Sequence, residues 1–523
     1  MQMIALIVLL ITLLSFINLQ TTVQQDSLHK VGIKRMVGAN RKQLISEILV
    51  NRICYWILGS GLAFLLYEVL FNPFLTVLDF QIDRNRMFDL TSLFTLNFII
   101  VMLSGLIGIY QLYKVSANSL LKEHKNPFSR LKSQKVLTAF QYAITILLLI
   151  VSGIVFQQYR FMLDKDTGLE TSNIIVVDFF DMLSGNRNDE SRQLAMSDHA
   201  LVQQELNSSP LIQSYSQGDM PIGLGLDYGS WKLLGSDRDY TSVNIMDADP
   251  WYDHLLELEV VDGRFFNDTI DVAWSRNEGQ GRGLVINEAA RDFFGITNLE
   301  EGRLVNRMWG GEQHPFQIIG VVKDYHYQDL SFKINPLIMI YKGYEDVSFK
   351  IKYHEGKKAE TIAFLEGLFQ KVNPNCIFQF EFLQDRINQQ YVNEEQTGKI
   401  YVGFTIVALV LSSIVLFAFA YHEIRRRTKE IGIRKVNGAS SRHVFSLMSQ
   451  SFLKTVLIGF VIACPVAWFM MRSWLDEFAF RIDMDVSVFI LSGVIAVVLA
   501  LLVISQQTLK LARRNPVDSL RYE

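Results

Sequence analysis

The sequence predicts a membrane α-helical fold, with about seven transmembrane helices and one α+β extracytoplasmic domain of two subdomains. Three observations lead there. Half of the 523 residues are hydrophobic and the mean hydropathy is +0.19, too apolar for an ordinary soluble chain. The apolar residues are segregated into long runs, and the charged residues are sorted by sign along the chain.

The runs occupy 3–19, 53–71, 91–113, 136–156, 400–420, 456–471 and 486–504. At about 1.5 Å per helical residue, each suffices for a hydrocarbon core of about 30 Å. The sixth is short and holds Pro465, which predicts a kink. Between 157 and 397 no such run occurs, and that stretch carries 21 Lys and Arg against 38 Asp and Glu. The remainder of the chain holds 29 basic and 15 acidic residues.

Basic loops lie on the cytoplasmic side of membrane proteins. Four loops qualify: Lys30 to Lys42, Lys114 to Lys135, Arg425 to Arg442, and Lys510 to Arg514. Seven alternating crossings put all four inside, the acidic domain outside, and the C-terminus in the cytoplasm. Met1 is then outside, although the first span has neither a preceding basic residue nor a following cleavage signal. Cys54 and Cys464 lie in apolar runs and Cys376 stands alone outside them, so no intramolecular disulfide framework is expected.

Within the acidic stretch, IIVVDF, GLVIN, FQIIGVV and PLIMIY read as strands, and NEAARDFFG and ETIAFLEGLFQKV as helices. The flanking QQYRFMLDK and LQDRINQQYVNEEQTGK read as polar helical stalks able to transmit motion.

Self-similarity accounts for the odd start. HKVGIKRMVGANRK at 29–42 resembles KEIGIRKVNGASSR at 429–442, an offset of 400. Gly32, Ile33, Gly38 and Ala39 match Gly432, Ile433, Gly438 and Ala439, and Lys34-Arg35 matches Arg434-Lys435. The same offset pairs VSANSLLKE with NPVDSLRYE. A complete duplication would place about 277 further residues, one span and one outer domain, before Met1.

RRRTKEIGIRKVNGASSRHVF, WLDEFAFRI and NPVDSLRYE, with GLVINEAARDFFGI and QIIGVVKDYHYQDL in the outer domain, resemble the FtsX/MacB-type permeases of ABC transporters in their long duplicated form. The resemblance implies a first permease unit at 1–123 with a coupling segment at 29–42, and a cytoplasmic loop and fourth span at 124–157. It implies a periplasmic core domain at 158–397 and a second permease unit at 398–523 with a coupling segment at 429–442.

It also implies a bacterial inner-membrane location and a separate cytoplasmic ABC ATPase. The coupling residues would be Gly32, Ile33, Lys34, Arg35, Gly38, Ala39, Glu430, Gly432, Ile433, Arg434, Lys435, Gly438, Ala439 and Arg442. ATP-driven motion would pass through the spans and stalks to the periplasmic domain, for export or extraction of a substrate. A periplasmic or outer-membrane partner and membrane lipid complete the expected contacts, with no nucleic acid. Read from the residues alone, 429–442 is a short interfacial helix ended by Gly438, with alternating apolar residues toward the spans and its charges toward the cytoplasm. Positive-inside charge remains an alternative for the basic residues. A non-transporting signalling scaffold that regulates a cell-envelope protein is the alternative function.

Searches for chemistry return nothing. No Gly-rich loop ends in Lys-Ser or Lys-Thr, so ATP hydrolysis is expected in another chain. His254, His314 and His326 lack metal-ligand spacing, and no GxSxG elbow occurs. Neither an enzyme nor a cofactor is expected. Asp247 and Asp249, like Asp262 and Asp268, read as solvated loop charge. Glu68 reads as a carboxylate near the outer end of its span, and Gly105 and Gly108 permit close helix contact.

Overall fold

The computed structural model describes residues 9–19, 34, 37–78, 86–114, 127–179, 189–222, 227–271, 273, 283–307, 314–341, 348–374, 376–426, 428–437 and 440–512. These form two compact units. One comprises Met1–Tyr159, Glu394–Leu475 and Ile482–Glu523, the other Arg160–Asn393 and Asp476–Arg481.

The first unit is helical. Its first half contains α1 (Leu9–Leu19), α2 (Arg41–Leu78) and α3 (Arg86–Lys114), followed by α4 (Pro127–Asp164). Among the described residues every sequence-predicted span falls on a helix, and five helices are long and apolar enough to cross a membrane. The other two apolar stretches, Leu9–Leu19 and Phe94–Leu103, are shorter.

The fourth span is the centre of this unit. Of its most apolar window 72% is buried, against 11% for α2. Its buried face alternates apolar residues, Ile146, Ile150 and Ile154, with polar ones that find partners on neighbouring helices. Gln141 donates to Ser15 at 2.8 Å and to Ser412 at 3.3 Å, Thr145 pairs with Ser412 at 2.8 Å, and Ser152 pairs with Thr405 at 2.7 Å. In a low-dielectric surround each such group must be paired, so these bonds fix the rotation of α4 about its axis.

The second unit is α+β. In chain order it holds β1 (Ile174–Asp178), α5 (Asp189–Ser208), β2 (Ile212–Ser216), β3 (Asp227–Leu233), β4 (Thr241–Asp247), α6 (Tyr252–Leu256), β5 (Val260–Gly263), β6 (Gly283–Asn287) and α7 (Glu288–Phe294). Then come β7 (Arg303–Asn306), β8 (Phe316–Val322), β9 (Leu337–Ile340), β10 (Ser348–Tyr353), α8 (Lys358–Val372), β11 (Glu381–Phe382) and α9 (Leu383–Gln389). Two sheets result, ordered β11-β1-β10-β2 and β5-β8-β6-β9-β4-β3-β7, with β4/β9 and β6/β8 parallel.

The strands read from sequence are β1, β6, β8 and β9, and all are fully or nearly fully buried runs. Asn287 shows why β6 passes directly into α7. Its side chain accepts the Ala290 N–H at 2.9 Å as an N-cap and the Leu337 N–H at 2.8 Å from β9, tying the helix start to the sheet. The strands missed by the sequence reading include β2, β3 and β5, which are shorter on apolar residues and depend on neighbours for burial.

Asp249 corrects an expectation. Its side chain is 2% exposed rather than solvated. One oxygen accepts from Ser216 Oγ at 2.8 Å and from the Trp251 N–H at 3.2 Å, the other from the Gln217 N–H at 2.7 Å. Burial pushes its carboxyl up, while these bonds and the Lys350 ammonium pull it down. Lys350 on β10 is 1% exposed and donates to the carbonyls of Gly218 and Ser348. The knot therefore joins residues at the end of β2 and on β10 of the smaller sheet to one that follows β4 of the larger. Asp262 faces Arg291 at 3.4 Å, and both are partly exposed.

The remaining helices return to the first unit: α10 (Val392–Arg426), α11 (Thr428–Val436), α12 (Ser441–Leu475) and α13 (Val486–Ala512). The sixth span is not short. Helix α12 runs 35 residues with Pro465 inside it. Between α12 and α13, Asp476–Arg481 belongs to the second unit, where Ala479 and Phe480 N–H groups bond to Ser331 and Leu330 carbonyls, each at 3.1 Å. The Phe480 ring meets His326 edge-on at 4.3 Å.

Candidate coupling site

Both repeat segments lead into long helices, and each start is capped by half of the same reciprocal device. In the first, the Gln43 side chain accepts the Asn40 N–H at 3.0 Å. In the second, the Ser440 hydroxyl accepts the His443 N–H at 3.3 Å. These are the two hydrogen bonds of a capping box, one retained in each copy.

The turn before α2 also shows why Gly38 stands there. Gly38 has φ +98°, a region unfavourable for side chains, and the Ala39 N–H closes onto the Lys34 carbonyl at 2.9 Å. That is a six-residue closure around a left-handed residue. In the second copy the Asn437 N–H bonds to the Ile433 carbonyl at 3.0 Å, and Gly438 and Ala439 lie outside the described residues, as do Gly32, Ile33 and Arg35 of the first.

Helix α11 carries Glu430, Gly432, Ile433, Arg434 and Lys435. Arg434 and Glu430, one turn apart, pair at 2.7 Å on an exposed face. In the first copy Lys34 pairs with Glu47 at 2.6 Å, also exposed. Screened pairs of this kind contribute little stability.

The apolar residues of α11 do not all face the spans. Ile431 is buried against Ile424 and Leu447, whereas Ile433 is 49% and Val436 64% exposed. Alternate residues on an α-helix lie about 200° apart, so Ile431 and Ile433 must point to opposite sides. The outer face of α11 thus combines a cation with two free apolar side chains. Arg442 opens α12 with its backbone helical.

Among the described residues no three His, Cys, Asp or Glu side chains converge as a metal site. Sequence reasoning missed Arg52, 5% exposed within α2. Its stem packs where a side chain on Gly105 would stand, 3.3 Å away, so Gly105 permits the close α2–α3 contact its size suggested.

Comparison with known families follows the same division. The family model for the FtsX-like permease C-terminal domain matches residues 2–119 and 402–516, one match in each repeat. Both membrane segments are therefore similar to the FtsX-like permeases, which supports a membrane subunit of the ABC-transporter class. A comparison with curated proteins finds no match.

Among solved structures, the periplasmic region of MacB from Actinobacillus actinomycetemcomitans is similar at 15% identity over 44% of this chain and 98% of that one, with TM-score 0.29. A domain of a putative permease from Porphyromonas gingivalis is similar at 12% identity over 40% and 87%, TM-score 0.27. The extracellular domain of the noncanonic ABC-type transporter YknZ from Gram-positive bacteria is similar at 12% identity over 40% and 97%, TM-score 0.25.

Proposed function

We propose that this chain couples ATP hydrolysis in a separate cytoplasmic ABC ATPase to motion of its own α+β domain, for export or extraction of a substrate at the cell envelope. The observation that carries the reading is the capped helix start in each repeat, at Asn40–Gln43 and at Ser440–His443, set beside exposed cations and the exposed apolar Val37, Ile433 and Val436. Charge alone would serve orientation, but orientation does not require a capped helix start in both copies.

In this mechanism the segments at 29–42 and 429–442 dock on the ATPase. Closure of the ATPase moves α10 and α4, and the polar stalks continuing from them carry that motion to a domain on the periplasmic side of the inner membrane. The C-terminus lies in the cytoplasm. Transport then needs no catalytic group in this chain.

Co-purification with the cognate ATPase at equal membrane expression tests the reading. Reversing the charges in Arg434→Glu/Lys435→Glu is expected to weaken association about tenfold or more, since one charge-assisted contact is worth about 1.5–3 kcal/mol. Unchanged recovery and unchanged ATPase stimulation would reduce these residues to an orientation signal.

A further inference from the structure

The α+β unit includes one segment that the chain enters from one span and leaves into the next. Asp476–Arg481, the strap between α12 and α13, lies in that unit, whereas Leu475 before it and Ile482 after it belong to the helical one. Arg481 and Asp476 pair at its base, and the Ile482 N–H donates to Gln158 Oε1 of α4 at 2.9 Å. Docked, the strap makes the α12–α13 connection part of the α+β unit. Undocked, that connection is a free linker.

The strap docks on the loop after β8. Its Ala479 and Phe480 N–H groups donate to the Ser331 and Leu330 carbonyls, each at 3.1 Å, and the Phe480 ring meets the His326 ring at 4.3 Å. His326 is 8% exposed, and its backbone N–H donates to the Thr167 carbonyl at 2.9 Å, just past the end of α4. The next residue, Gly168, has φ +77°, and a side chain there would stand 3.3 Å from Tyr325 Cβ. The His326 imidazole is thus held between the end of α4 and the strap.

The charges around that ring are few in kind. Lys165 and Asp166, beyond the end of α4, act on it in opposite senses, the ammonium against protonation and the carboxylate for it. On the strap, Arg481 and Asp476 are paired with each other and Glu477 is exposed. In the loop itself Lys323 pairs with Glu259 at 2.7 Å, Asp324 accepts the Ala289 N–H at 3.0 Å, and Asp329 accepts the Ser331 N–H at 2.7 Å. Burial is the largest influence, and with Lys165 it holds His326 below the ordinary histidine value.

We propose that the strap is an acid-released latch, docked while His326 is neutral and freed when its ring takes up a proton from the surrounding water. A buried imidazolium lacks the water that would stabilise it. Undocking supplies that water, and the state that binds the proton better gains population as pH falls. Two neutral backbone bonds are individually weak in net terms, so a charge taken up beneath them competes with the dock. Acid then turns the α12–α13 connection into a free linker while both stalks remain in place in the chain. The inference rests on this junction and makes no use of ATPase coupling.

Electron paramagnetic resonance of the full chain in detergent tests it, in a background lacking Cys54, Cys376 and Cys464. A nitroxide at Glu477→Cys reports the strap, and one at Glu360→Cys, exposed on α8, reports the fold of the unit. Between about pH 8 and pH 5 the strap label is expected to pass from restrained to mobile, with a midpoint below about 6.5, while the α8 label is unchanged. His326→Phe keeps a ring for Phe480 but takes up no proton, and its strap label should stay restrained throughout. Lys165→Gln removes the cation that opposes protonation and should raise the midpoint. If His326→Phe loosens the α8 label at the upper pH, Lys165→Gln decides alone. A strap label indifferent to pH, or more restrained in acid as an imidazolium on the Phe480 face would make it, would overturn the proposal. So would release that persists in a folded His326→Phe, a midpoint that does not rise in Lys165→Gln, or both labels loosening together.

Discussion

Replacing Asp249 by Ala removes the acceptor of three hydrogen bonds inside the α+β unit, those from Ser216, Gln217 and Trp251. It also removes a carboxylate that acts electrostatically on Lys350, which is 1% exposed. Breaking a buried charge pair by deleting one partner costs about 3–5 kcal/mol. Three bonds to an ionised group at about 1.5 kcal/mol each give the same range, so the two routes agree.

Because Ser216, Gln217 and Lys350 follow or lie on β2 and β10, the loss should concentrate in the smaller sheet. Hydrogen exchange of the full chain in detergent should show β2 and β10 peptides exchanging about 10²- to 10³-fold faster, while α12 and α13 are unaffected. Adding Lys350→Met should restore the part of the protection lost to the uncompensated charge, since an apolar residue of similar volume needs no counter-charge, and not the part lost with the three hydrogen bonds. A cost below about 1 kcal/mol for Asp249→Ala, or no recovery in the double variant, would refute the reading that Asp249 anchors this knot and offsets part of the Lys350 charge.

Four further outcomes are expected. His199 and His326 are both held below the ordinary histidine value, chiefly by burial, so the folded unit favours their neutral forms. Their contribution is present above the ordinary value of about 6.5 and lost as pH falls through the lower folded values, so unfolding free energy should decline on acidification and decline less in His199→Gln. Denaturant titrations of the full chain at several pH values measure this, and a flat profile opposes it. Gly38→Val should cost about 1–2 kcal/mol at the turn before α2, since a β-branched residue resists φ +98°, and exchange at the start of α2 should accelerate accordingly. The chain purified free of other proteins should show no ATPase activity, and robust turnover would contradict the absence of a phosphate-binding loop. In a background lacking Cys54, Cys376 and Cys464, an impermeant thiol reagent should reach Asp237→Cys in intact spheroplasts but Ser440→Cys only after permeabilisation. The reverse would invert the orientation.

Local sequence determined the helical spans, the soluble insertion between them and the repeat at an offset of 400. Each is written in neighbouring residues: apolar runs of span length, a change of charge sign, a Gly-Ile and Gly-Ala frame that recurs. The fully buried strands β1, β6, β8 and β9 were legible for the same reason, as continuous apolar runs. Strands such as β2 and β3 were not, because their burial comes from partners remote in the chain. Hydropathy also could not rank the spans, since a helix facing lipid and one facing other helices are equally apolar. Only tertiary packing made α4 the core of its repeat through Gln141, Thr145 and Ser152. Asp249 and Lys350 make the same point in the soluble unit. They are 101 residues apart, and sequence shows two charges in a polar chain. Their burial is decided by where β4 ends relative to β2 and β10, because the cost of a buried charge depends on distances that exist only after the two sheets have formed.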